Sequence, residues 1–219
     1  MKPKLNALTI PPEIMALTDA TLAGKLAMAM YAADTEIKEW RVRRALGITH
    51  AGLRKLNQRL RSRGWLTTCT FWDNSYAIHK IHVPGLVAHP DRRHFVSEKS
   101  TADFAQKVAP MLSTVVPVDS VNTITIRAEI LDLKGYIATD KFLLILYSQT
   151  PAASNEQVMV RLGLSRAGLK KARHRLLQTG VLTKTLCGYQ IHVPGLVYIE
   201  APDGGHYVSE CAPKKTSKK

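Results

Sequence analysis

The 219-residue chain carries 31 Lys and Arg against 17 Asp and Glu, a formal net charge of +14, with 45% hydrophobic and 22% charged residues. That length fits two domains of about 100 residues each, and the hydrophobic content is that of a folded chain, not a disordered one. Cys69, Cys187 and Cys211 match neither a disulfide framework nor a zinc-ligand spacing, and no apolar run approaches the ~20 residues that span a bilayer. A cytoplasmic protein with no membrane partner, no metal and no cofactor is expected.

In chain order, the segment ALTI alternates as a short strand does. A helix follows, with Thr18 or Asp19 as its cap and Leu22, Leu26, Ala29, Met30 and Ala33 on one face. Asp34-Thr35 breaks it, and a second helix is predicted over about Glu36–Leu46, ending at Gly47, where a glycine takes the positive φ that terminates a helix. The third helix is capped by Thr49 and buries Leu53, Leu56 and Leu60 at i, i+3, i+7 spacing. Two strands, about Trp65–Phe71 and Tyr76–Val83, form a hairpin, and a further short hairpin follows Pro84-Gly85.

The order then recurs. After TITI, a helix capped by Thr139 or Asp140 carries Phe142, Ile145 and Leu146, and a second helix over about Asn155–Leu162 ends at Gly163. The third is capped by Ser165 and buries Leu169, Ala172 and Leu176. A hairpin of about Val181–Leu186 and Tyr189–Val193 turns at Cys187-Gly188, and another, turning at Pro202-Asp203-Gly204, follows Pro194-Gly195. Between residues 41–67 and 157–183, twelve of twenty-seven positions are identical without a gap, at an offset of 116. IHVPGLV recurs verbatim at 81–87 and 191–197, the shorter offset reflecting a hairpin tip six residues longer in the first copy. A period this long marks a duplicated domain and not a solenoid repeat. The boundaries expected are 1–99 for the first domain, 100–121 for a linker with a helix over Ala102–Leu112, 122–211 for the second domain and 212–219 for a basic tail.

Charge is distributed by the same duplication. No acid occurs between Trp40 and Trp72, where Arg41, Arg43, Arg44, Arg54, Lys55, Arg59, Arg61 and Arg63 lie. None occurs between Gln157 and Ile199, which holds Arg161, Arg166, Lys170, Lys171, Arg173, Arg175 and Lys184. A one-sign field of this kind concentrates polyanions. The histidines do not form a catalytic set. His82 and His192, like His94 and His206, occupy equivalent positions, as inherited packing or hydrogen-bonding residues would.

Helix, helix, sharp glycine turn, basic helix and hairpin, carried by LGITHAGLRKLNQRLRSRGWL (46–66) and LGLSRAGLKKARHRLLQTGVL (162–182), resemble the winged helix-turn-helix family of DNA-binding domains. The segments LTIPPEIM and ITIRAEIL also resemble, over fewer residues, the start of winged-helix domains in plasmid and phage replication proteins. The resemblance implies an α+β chain of two tandem winged-helix domains whose third helices enter the major groove of double-stranded DNA. Its readers would be Thr49, His50, Ala51, Arg54, Lys55 and Gln58 in one copy and Ser165, Arg166, Ala167, Lys170, Lys171 and His174 in the other. Arg and Lys suit guanine, and Gln suits adenine. The Ala-Gly pairs 51–52 and 167–168 either admit close approach of the DNA or pack against the second helix. Arg41, Arg44, Arg61, Arg63, Arg173 and Lys184 would contact phosphates.

The function expected is a sequence-specific transcriptional regulator, not an enzyme, reading a bipartite site. The alternative within the same class is a replication initiator or partition protein, in a prokaryotic plasmid or phage setting at the nucleoid. From another class comes a winged-helix protein–protein scaffold. No small-molecule ligand is legible, and a homodimer is not required.

Overall fold

A computed structural model describes residues 7–70, 77–89, 94–97, 124–186, 188–199 and 206–209. The elements run β1 (Ala7–Ile10), α1 (Pro12–Met15), α2 (Leu22–Ala33), α3 (Glu39–Leu46), α4 (His50–Ser62), β2 (Leu66–Thr70), β3 (Ala77–Ile81), β4 (Leu86–Ala88), β5 (Phe95–Ser97) and β6 (Ile124–Arg127). Beyond β6 the order repeats as α5 (Ala128–Leu131), α6 (Ala138–Gln149), α7 (Asn155–Leu162), α8 (Arg166–Gln178), β7 (Leu182–Thr185), β8 (Gly188–Ile191), β9 (Leu196–Ile199) and β10 (His206–Ser209). The fold is α+β, and every strand pairing among the described residues is a two-stranded antiparallel ladder. Contacts divide the chain into two units, Met1–Ala128 with Asp132–Thr139, and Glu129–Leu131 with Asp140–Lys219. The expected helix at 102–112, the turn at 202–204, the first hairpin tip and the basic tail lie outside the described residues.

In the first unit β1 pairs with β6, a strand that the repeat puts at the head of the second copy. Leu8 faces Ile126, Thr9 faces Thr125 and Ile10 faces Ile124. The register is centred on Thr9 and Thr125, which are themselves equivalent in the repeat. Period-two alternation puts Leu8, Ile10, Ile124 and Ile126 on the buried face and the threonines outside. By contacts, residues 124–128 and 132–139 group with the first unit, beyond the repeat boundary expected at 122.

Pro12 opens α1, where its missing N–H costs nothing. The first long helix is capped two to three residues later than expected, not by Thr18 or Asp19 but by the Thr21 hydroxyl, which accepts from Gly24 N–H at 3.1 Å. In the second copy α6 starts at Ala138, so Thr139 and Asp140 lie within its first turn and do not cap it. Both helices are central. Leu22, Gly24–Ala32 and Phe142–Tyr147 are buried, a wider burial than the single apolar stripes predicted. A buried lysine ends the short helix before each: Lys25 Nζ donates to Met15 O and Lys141 Nζ to Leu131 O, both at 2.6 Å. A cation at C-terminal carbonyls complements the helix dipole.

The predicted second helix is shorter in the first unit, because Asp34 Oδ1 accepts from Glu36 N–H and holds a turn before α3 begins at Glu39. In the second unit Ser154 and Gln157 form a reciprocal capping box at the start of α7. The two hairpins β2–β3 and β7–β8 keep one register at their bases, with Leu66 opposite Ile81 and Leu182 opposite Ile191. Shorter ladders β4–β5 and β9–β10 follow.

Candidate nucleic-acid interface

Each unit presents a basic helix in the same way. Gly47 and Gly163 end α3 and α7 in the left-handed region, at φ 65° and 63°. The next helix starts after two residues, where Thr49 Oγ1 accepts from Gly52 N–H at 3.2 Å and Ser165 Oγ from Gly168 N–H at 3.1 Å. Leu53 and Leu60 anchor α4 in the first core, and Leu169, Ala172 and Leu176 anchor α8 in the second. Leu56 is only half-buried, and the fully buried position beside it is Asn57.

With those positions inside, the predicted readers Thr49, His50, Ala51, Arg54, Lys55 and Gln58 are exposed on or beside α4. Ser165, Arg166, Ala167, Lys170, Lys171 and His174 are exposed likewise at α8. His50 Nε2 lies 3.6 Å from Glu39 Oε2, so an acid outside the acid-free window reaches this face. A side chain added at Gly52 would first meet Ile48 and Thr49 at 3.4 Å, and at Gly168 it would meet Ser165 Oγ at 3.3 Å. The nearest neighbours are in the cap and turn, not in the preceding helix. Close packing against that helix is therefore not why these positions are small.

The six expected phosphate contacts fall into different environments. Arg44, Arg61 and Lys184 are exposed, and Arg41 is half-buried with its guanidinium 5.5 Å from the Trp40 ring centre. Arg63 is engaged locally: Nη1 donates to Asp19 O at 2.9 Å, and the group lies 5.1 Å from the Trp65 ring centre. Arg173 turns inward. Its Nε donates to Tyr147 Oη at 2.6 Å, Nη1 donates to Asn155 Oδ1, and the cation lies 4.8 Å from the Tyr189 ring centre. These bonds hold its guanidinium away from the exposed face. Arg175 is also held, by two bonds to the buried carboxylate of Asp140, the shorter at 2.6 Å.

The sequence marks Tyr31 and Tyr147 as equivalent structural residues of the first long helices, but not the polar partners they find beneath the basic helices. In the first unit Tyr31 Oη and Asn57 exchange hydrogen bonds, with Nδ2 donating at 3.0 Å, while the Tyr31 ring lies 4.1 Å from that of His79. All three side chains are buried. Burial pushes the Tyr31 hydroxyl up to about 12, and burial, together with the charge of Arg61, pushes His79 down to about 4. Tyr147, Arg173 and Tyr189 occupy the equivalent positions in the second unit, with ring centres 4.7 Å apart for the two tyrosines. Their spacing in the repeat was the available signal. At the hairpin bases, Thr67 and His82 bond at 2.8 Å and Thr183 and His192 at 2.9 Å, the hydrogen-bonding role expected of those histidines.

No helix among the described residues is long and apolar enough to cross a membrane. Comparison with protein-family models, curated proteins and solved structures gives no match for this chain.

Proposed function

We propose that this chain is a sequence-specific double-stranded DNA-binding protein, built as two tandem winged-helix domains and acting as a transcriptional regulator. The observation that carries the reading is the repeated presentation of α4 and α8. Each follows a left-handed glycine, begins at a hydroxyl cap, buries two leucines (Leu53 and Leu60, Leu169 and Leu176) and exposes basic and amide side chains in a window free of acids. An exposed helix start next to fixed cations suits a phosphodiester backbone, and the residues of the first two turns suit base edges.

On this reading Arg54, Lys55 and Gln58 read one half-site and Arg166, Lys170, Lys171 and His174 the other. Thr49 and Ser165 sit at phosphates, and Ala51 and Ala167 leave room for close approach. Arg44, Arg61 and Lys184 are the better phosphate contacts, since Arg63 and Arg173 are bonded within their own units. One chain carries both helices, so the second engages at high effective concentration and no partner protein is required. The reactive constellation of an enzyme forms no part of this reading.

Selection of bound fragments from random-sequence duplex DNA tests it. Enrichment of a two-part motif, bound by one chain per site in light scattering, is the expected result. Enrichment of a directly repeated array would favour a replication or partition role. Absence of any DNA shift at moderate salt would favour a protein scaffold and overturn the DNA reading.

A further inference from the structure

Resting on the DNA-binding reading, we propose that Tyr31 and Tyr147 are positioning residues: each couples its unit's basic helix to its hairpin and thereby sets the angle at which the exposed side chains meet the bases. Both tyrosines are completely buried, so neither touches DNA. Each nevertheless ties its own helix to two other elements. Tyr31 projects from α2, bonds Asn57 of α4 through its hydroxyl and packs its ring on His79 of β3. Tyr147 projects from α6, accepts from Arg173 of α8 and packs on Tyr189 of β8.

The partners have changed completely between the units, while the elements that each tyrosine joins have stayed the same. An amide and an imidazole serve the first tyrosine, and a guanidinium and a phenol serve the second. Core filling alone would be met by apolar residues at these sites. Asn57 is buried and Arg173 half-buried on helices otherwise anchored by Leu53 and Leu60, or by Leu169 and Leu176. Apolar packing is non-directional, whereas a hydrogen bond at these positions fixes rotation about the helix axis. A rotation of about 10° displaces side-chain atoms at ~5–6 Å radius by about 1 Å. That shift is enough to spoil a bidentate contact whose tolerance is a few tenths of an ångström. Arg54 and Gln58 flank Asn57, and Lys170 and His174 flank Arg173, so the bond acts directly on the predicted readers.

Removing one hydroxyl from the full chain tests the coupling. The probes are a duplex recovered by wild-type selection from random DNA and a scrambled duplex of the same composition. In Tyr31→Phe and Tyr147→Phe the preference for the selected duplex should fall about threefold to tenfold. Binding to the scrambled duplex should change less than about twofold, since phosphate contacts tolerate such a shift. Tyr147→Phe combined with Lys170→Ala should be non-additive in that preference. Arg173→Asn, which installs the pairing of the first unit, should keep the preference within about twofold. It carries the test if Tyr147→Phe does not fold by circular dichroism. Unchanged preference in the Phe variants would overturn the proposal. Equal losses on both duplexes, tracking a lowered unfolding midpoint, would also overturn it by reducing the tyrosines to core residues. A wild-type chain that enriches no sequence would instead overturn the DNA reading itself, and this inference with it.

Discussion

His79 shows how burial decides a charge state. Its Nδ1 is 3.2 Å from Thr68 Oγ1, its Nε2 is buried without a hydrogen-bond partner, and its ring lies on Tyr31. The folded chain therefore refuses a proton until about pH 4, while the unfolded chain accepts one near 6.5. Between those values the unfolded state binds more protons, so stability must fall as pH drops through the window, by up to about 3 kcal/mol. Urea unfolding at about pH 7, 5.5 and 4.5 should show the decline, and His79→Tyr, which copies the residue at 189, should flatten it. A pH-independent midpoint in the parent chain would refute the buried neutral imidazole. On the outer face the expectation is different in kind. Arg54→Ala should leave unfolding unchanged but cost about 1–3 kcal/mol of DNA affinity and relax one base preference. Wild-type selectivity in that variant would show that Arg54 does not read a base.

At the scale of elements, equivalent positions can have unequal costs. Gly47 and Gly163 end corresponding helices at nearly the same φ. A methyl group at 163 would meet nothing within 4 Å, but at 47 it would sit 2.3 Å from Tyr136 O. Gly163→Ala should cost about 1–2 kcal/mol, the left-handed penalty alone. Gly47→Ala should cost clearly more, and equal unfolding midpoints would count against the close approach at Tyr136. Both turn glycines, both caps Thr49 and Ser165, and the exposed faces of the basic helices were legible in the sequence, because each rests on local chemistry of fixed spacing. Other features were not. Asn57 is hidden because the leucine spacing fits Leu56 about as well. The inward turn of Arg173 is hidden because a long cationic side chain gives no local sign of which way it points. The four-residue helices α1 and α5 are too short for periodicity to register.

For the whole molecule, on the proposed DNA-binding reading, the 15 basic residues of the two acid-free windows would draw most of the binding energy from released counterions. If about six to ten contact phosphates, affinity should drop by roughly 10³–10⁵ between about 50 and 200 mM salt. Fluorescence anisotropy across that range gives the slope, and a salt-insensitive complex would contradict the electrostatic account. Both strands are legible in the sequence, but their pairing is not, since no local pattern says which of several strands more than a hundred residues apart lie side by side.

That same pairing bears on where the gene can be cut. The seam visible in the sequence falls between the copies, but the stitching crosses it. A chain ending at residue 99 would keep β1 and lose β6, leaving Leu8 and Ile10 on a lone strand with a row of unsatisfied N–H and C=O groups. Such an edge recruits whatever strand it meets, most readily another copy of itself. The trimmed chain should therefore self-associate in light scattering, whereas one extended through Arg127 should stay dispersed. If both behave alike, the borrowed strand is dispensable, and the repeat boundary is a safe place to divide the protein after all.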